Sequence, residues 1–148
     1  MDPKKSIVKK GQWESSFGAN LPNVPHVCLE IENVLKEWGV SKNLYHDITL
    51  SIEEAVTNVI MHNGESSEFL NKPISIVLLN QDNTVHITIS DYGKQFDIHS
   101  VSAPNMETYN AQRSIGGFGI KLIKKLMDQV SLTRNNDINT LVMNKTLY

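Results

Sequence analysis

Glu54 and Asn58 stand four residues apart in SIEEAVTNVIMHNG, residues 51–64, and His62 follows four further on. On an α-helix that spacing stacks all three on one face. A carboxylate and an amide oxygen aimed together into a pocket are what a metal-phosphate site needs. Read alone, the same face is first of all the solvated side of an amphipathic helix, since charged and amide side chains are mostly exposed. Asp47 and Ser51 extend it backwards by about two turns. Two further stretches could do chemistry. Asp91-Tyr92-Gly93 closes a β-branched run. An acidic residue at a strand end is usually solvated, but one followed by glycine can accept from a ligand amine while the backbone approaches the ligand plane. Gly116-Gly117-Phe118-Gly119 opens a helical pattern. It reads either as a tight turn or as an anion site, where free N–H groups at a helix start meet phosphate.

The elements that must position these residues follow from periodicity. Ile48, Ile52, Val56, Val59 and Ile60 form an apolar stripe, predicting a helix from a Ser41 cap to about His62, ended by Asn63-Gly64. Val27, Ile31, Leu35 and Trp38 predict a preceding helix over 26–38, stopped by Gly39. Residues 4–17 read as one first strand with an irregularity at Gly11, followed by a loop over 18–25. After a polar connection, ESSEFLNK, the runs at 74–79 and 84–90 predict a hairpin through NQDN. In its second strand Val85, Ile87 and Ile89 share one face, and His86, Thr88 and Ser90 the other. His86 therefore reads as a half-exposed strand histidine.

No period is found between Gly93 and about Gly117, a stretch that includes Pro104. Residues 94–115 are expected to form a lid, because a long connection inside a compact domain is usually functional or disordered. Ile120, Ile123 and Leu126/Met127 give the next helix its stripe. VSLTRN and INTLVMNKTLY, separated by Asn136-Asp137, read as two last strands. The order β-α-α-β-β-lid-α-β-β predicts an α+β two-layer sandwich: a mostly antiparallel mixed sheet with helices on one face.

At 148 residues the chain is expected to be a single domain over 1–148. A net charge of −2 gives no basic stripe for nucleic acid. The single cysteine, Cys28, excludes an intramolecular disulfide and a multi-cysteine metal site, and reads as a buried structural thiol. No signal peptide and no membrane span are read from the sequence, so the expected compartment is the cytoplasm.

Taken together, the three motifs resemble the N, G1 and G2 boxes of the histidine-kinase-like ATPases, the Bergerat ATP-binding fold. Within that superfamily the chain looks most like the bacterial anti-sigma factor serine/threonine-protein kinases. EAVTNVIMH resembles their N box, SDYGKQFD their G1 box with its Phe96-Asp97 pair, and GGFGIKLIKKLMDQV their G2 box and helix. NTLVMNK resembles the G3 strand, with Thr140 at the nucleotide-facing position. Gln95 replaces the second glycine of the wider superfamily's G1 box, and Asn139 stands where G3 often has glycine. No phosphoacceptor-histidine helix precedes the motifs, which argues against a histidine kinase.

The resemblance implies roles. Asp91 would accept from the adenine amino group, and Gly93 would let the backbone close on the ring. Asn58 would bind Mg²⁺ through its side-chain oxygen. Gly117 and Gly119, with the lid, would cradle the phosphates of ATP; Arg113 is a candidate for the γ-phosphate or a solvated arginine. Glu54 would be the catalytic general base. Lys94 and His62 stay unassigned. The implied partners are a sigma factor, an anti-anti-sigma antagonist protein phosphorylated on serine, and a second copy of the chain. Two rivals remain: a switch kinase of the same fold that activates a phosphatase without touching a sigma factor, and a non-catalytic ATP-dependent binding module. An intact Glu54 argues against the second.

Overall fold

The computed structural model describes residues 4–63, 67–94 and 117–147. The predicted lid from residue 95 onward, Gln95, the Phe96-Asp97 pair, Arg113 and Gly116 lie outside the described residues.

Strands β1 (Lys4–Lys9) and β2 (Gln12–Gly18) are followed by helices α1 (Asn23–Glu37), α2 (Lys42–Asn63) and the short α3 (Ser67–Leu70). Then come β3 (Pro73–Gln81), β4 (Thr84–Asp91), helix α4 (Gly117–Leu126), β5 (Gln129–Asn135) and β6 (Ile138–Thr146). The six strands form one sheet in the order β1-β2-β3-β4-β6-β5, and every neighbouring pair is antiparallel.

Two expectations are corrected here. Residues 4–17 are not one strand but a hairpin, in which Lys9 pairs with Gln12 across Lys10-Gly11. Gly11 is the turn itself: its φ is +70°, and a Cβ there would stand 3.3 Å from the Asn80 carbonyl. The polar connection after α2 holds α3, whose Phe69 is buried in the core.

The other turns follow their sequence. Asp82-Asn83 and Asn136-Asp137 carry φ of 53°, 61°, 52° and 64°, the left-handed pairs that close two-residue hairpins without splaying the strands. Gly39, at φ +79°, ends α1; its N–H donates to Lys36 and that of Val40 to Leu35, which satisfies carbonyls the helix leaves open.

The core lies between one sheet face and the helices. Trp13, Leu78, Ile87 and Met143 stand in register across β2, β3, β4 and β6, all fully buried. One row along, Ser15, Ile76, Ile89 and Leu141 repeat the pattern. Ile31 and Leu35 of α1 and Ile48 and Ile52 of α2 pack into the same cluster. Trp13 donates its ring N–H to Glu30 at 3.0 Å, so the indole is buried without an orphaned donor. In the third row Phe17 and Ile74 stay apolar across β2 and β3, but the part where β4 stops is polar: Asp91 lies opposite Asn139, and Asn139 opposite Arg134.

Candidate functional site

A pocket opens over this polar row, between the sheet end, the C-terminal half of α2 and the start of α4. Its walls are apolar: Ala55 and Val59 from α2, Ile89 and Leu141 from the central strands, Leu132 from β5 and Ile120 from α4. Asn58, His62, Asn63, Asp91, Lys94 and Asn139 supply the polar groups. An apolar slot with a few fixed polar atoms is the usual form of a small-molecule site.

The α2 face read from the sequence is not solvated. Ser51, Glu54 and Asn58 are all buried. Asn58 reaches the pocket wall with both amide atoms, Oδ1 and Nδ2, buried and without a hydrogen-bond partner among the described residues. A buried amide left unpaired costs on the order of 1–3 kcal/mol, so these two atoms are open to a further partner. Glu54 lies one turn back on α2 and does not line the slot.

Asp91 is 5% exposed, and its two protein hydrogen bonds fall on one oxygen. Oδ1 accepts from the Gly93 N–H at 2.8 Å and from the Asn139 amide at 3.0 Å. Among the described residues Oδ2 carries none. Burial pushes the carboxyl above its ordinary range. Against that, the hydrogen bonds from Asn139 and Gly93 and the charges of Arg134 and His62 pull it down.

Gly93 is held from several sides. Its carbonyl accepts from Arg134 at 2.9 Å and from Asn139 at 3.1 Å. Next to it, the Lys94 N–H donates to Asn63 Oδ1 at 2.7 Å, while Asn63 Nδ2 donates back to Val59 at 2.6 Å. Gly117 and Gly119 fall in the first turn of α4, and Ile120, one residue on, is a pocket wall.

The expectation for Thr140 is corrected. Thr140 pairs with Ser90 and Thr133, so it shares their face of the sheet, opposite to Asp91. Asn139 is the residue of that strand that faces the slot, at 4% exposure. The sequence did not separate the two, because β6 alternates with apolar residues on both faces: Ile138 and Val142 on one, Leu141 and Met143 on the other. Asn63 and Arg134 were also missed. His62 and Lys94, unassigned from sequence, both line the slot. His86 is half-buried, as expected for the outer face of β4.

Among the described residues no three His, Cys, Asp or Glu side chains converge to hold a metal. No described helix is long and apolar enough to cross a membrane.

A buried acceptor at the end of an apolar slot, an unsatisfied amide on the flanking helix and a glycine-led helix start together describe a nucleotide-binding domain. The histidine kinase-like ATPase domain matches residues 17–145, and the chain belongs to that family, within the group of bacterial anti-sigma serine kinases. The chain is 30% identical over 125 residues to the serine-protein kinase RsbW of Oceanobacillus iheyensis, covering 78% of this chain and 73% of that one. It is 27% identical over 130 residues to RsbW of Staphylococcus epidermidis, covering 84% and 80%. The fold is similar to a crystal structure of the RsbU and RsbW domains of Rv1364c from Mycobacterium tuberculosis, with a TM-score of 0.65 at 17% identity. That match covers 98% of this chain but only 32% of the longer one. The SiaB–SiaC complex from Pseudomonas aeruginosa also contains a similar chain, with a TM-score of 0.57 at 11% identity and 88% of each chain covered.

Proposed function

We propose that the chain is an ATP-dependent serine kinase that binds a sigma factor and holds it inactive, and that phosphorylates an anti-anti-sigma antagonist protein on serine. The observation that carries the ATP site is the pairing of Asn58 with Asp91 in one slot. Among the described residues one is a buried amide with no hydrogen-bond partner, and the other is a buried acceptor with one oxygen unused. Supporting the kinase reading, the relatives above are named serine-protein kinases.

In this reading the apolar walls take the adenine ring, and Asp91 Oδ2 accepts from its amino group. Asn58 Oδ1 fits a divalent cation: it is a hard oxygen donor, buried, with no partner among the described residues. Mg²⁺ needs few protein ligands, so one amide is enough; when bound it supplies neutralisation of phosphate charge. The free N–H groups of the first turn of α4, left open by Gly117 and Gly119, receive phosphate oxygens. Glu54, on the same face as Asn58 one turn away, takes the proton of the incoming serine hydroxyl. The serine oxygen bonds to the γ-phosphorus as the bond to the β-phosphate oxygen breaks, leaving ADP. The chain is proposed to act as a homodimer in the cytoplasm, with no nucleic-acid contact of its own.

The test is transfer of radiolabelled phosphate from ATP to antagonist proteins encoded beside this gene, paired with pull-down of sigma subunits. Transfer with sigma capture is the expected result. Transfer without sigma capture leaves the switch kinase acting on a phosphatase module. ATP binding with no transfer leaves a binding module.

A further inference from the structure

The slot contains one arrangement that the general nucleotide reading does not use. Asn139 presents its amide nitrogen to three acceptors at once: Asp91 Oδ1 at 3.0 Å, the Lys94 carbonyl at 3.0 Å and the Gly93 carbonyl at 3.1 Å. Its oxygen accepts from the Arg134 guanidinium at 2.9 Å. Amide orientation is normally an assignment, but here the chemistry leaves one choice. The reverse orientation would set an oxygen against three acceptors and an NH₂ against a cation. Arg134 reaches in from the edge strand β5, with its side chain 27% exposed and a further contact to Asp137 at 3.6 Å. The same guanidinium nitrogen also bonds the Gly93 carbonyl.

We propose that Asn139, locked in orientation by Arg134, makes the site select a 6-amino purine over a 6-keto purine. The inference rests on the ATP-binding reading above and goes beyond it, since it assigns selectivity to two residues outside the recognised motif roles. The physical reason lies in Asp91. Selection of an amine requires a group that only accepts, which is an ionised carboxylate. A buried carboxyl tends to take up a proton, and a protonated one donates; it then suits a keto oxygen as well as an amine. The amide of Asn139 donates to Oδ1, which favours the ionised form and leaves Oδ2 as the oxygen with no partner among the described residues. The charged and titratable groups around Asp91 are Arg134 from β5, His62 from α2 and Lys94 after β4; α4 contributes the apolar Ile120. Arg134 acts on Asp91 by its own charge and by holding Asn139, so both are positioning residues.

The experiment is equilibrium titration of the full chain with magnesium-loaded ATP and inosine triphosphate, which differ at the 6-position. It uses the wild type, Asn139→Leu and Arg134→Gln, each with its thermal unfolding recorded. The wild type is expected to prefer ATP. Asn139→Leu is expected to lower the ATP-to-inosine preference by about tenfold, the scale of one charge-assisted hydrogen bond. Arg134→Gln, on an edge strand and partly exposed, is expected to fold and to lower the preference by a smaller factor; it decides the matter if Asn139→Leu does not fold. A parallel loss of both nucleotides, with the preference unchanged, would mean the pair only supports the structure, and overturns the inference. So does a wild type that binds both nucleotides equally, with the ATP-site reading left standing. A folded wild type that binds neither nucleotide overturns both.

Discussion

Asn63, the last residue of α2, occupies the space a side chain at position 93 would need. A Cβ on Gly93 would stand 2.2 Å from Asn63 Nδ2 and 2.7 Å from its Oδ1. The contact has a purpose in the site, because Asn63 Oδ1 takes the Lys94 N–H and so fixes the backbone just after Asp91. The glycine of the G1 box is thus explained here by a side chain of the protein, before any ligand is considered.

Gly93→Ala is therefore expected to destabilise the protein by about 1–3 kcal/mol, the usual cost of forcing extra atoms into a packed site. The cost should shrink in an Asn63→Ala background, where the obstructing amide is gone. Urea unfolding of the two single variants and the double variant measures this coupling. Strict additivity would show that residue 93 is constrained by something other than Asn63.

Asp91→Asn should separate affinity from stability. ATP affinity is expected to fall by about 1.5–3 kcal/mol, since an acceptor that is purely ionic is lost. Stability should move the other way. Burial raises the Asp91 pKa in the folded protein, so the folded state holds this proton more tightly than the unfolded chain. That contribution is fully present below the ordinary carboxylate range and is lost as pH rises through the raised value. At neutral pH the buried charge is a net cost, which Asn lacks. Unfolding free energies should favour Asp91→Asn most near pH 7 and progressively less as the pH falls towards 4. A difference that stays constant over this range would remove the buried-charge account.

Cys28 gives an independent check on packing. Its thiol is pushed up to about 12, first by burial and then by the Glu53 carboxylate. Alkylation of the native protein at pH 8 should be far slower than that of the unfolded chain, because the thiolate is the reactive form and the native thiol is raised from an ordinary value of 9.0. Mass-spectrometric timing of iodoacetamide uptake reads this directly. Comparable rates in the two states would place the α1 thiol in a more open environment.

Elements with one unambiguous period were legible before any coordinates. The stripe of α2 and the alternation in β4 each fit a single template, and Asp82-Asn83 and Asn136-Asp137 are turn pairs by composition alone. The β1–β2 hairpin was not legible, because the alternation on either side of Lys10-Gly11 reads through as one strand. At Asn139 and Thr140 the local pattern offers two faces of equal apolarity, and only pairing with β4 chooses between them. Asn63 and Arg134 are 31 and 41 residues from the segment they hold, so nothing local in the sequence announces them. The N-box face was legible as a face, but its burial is a tertiary fact: α4 packs over α2 and removes it from water.

That burial sharpens the final prediction, which concerns Glu54 and Asn58. Since both amide atoms of Asn58 are buried without partners among the described residues, its side chain is expected to weaken the ligand-free fold. Asn58→Leu, similar in volume and apolar, is expected to stabilise the free protein by about 1–3 kcal/mol while abolishing metal-dependent ATP binding and transfer. Glu54→Ala is expected to keep Mg-ATP binding and to slow transfer by ~10²–10⁴-fold, the contribution of a general base. The two outcomes are opposite in kind because the residues act at different points. In the proposed mechanism Asn58 serves wherever the phosphate charge must be neutralised, in ground and transition states alike, whereas Glu54 serves only when the hydroxyl gives up its proton. Fluorescent-ATP titration, single-turnover transfer to the antagonist serine and thermal unfolding of the same preparations separate the three quantities. Near wild-type transfer by Glu54→Ala would remove it as the base. A destabilised Asn58→Leu would mean the amide is satisfied within the protein, and the case for a cation at that position would fall with it.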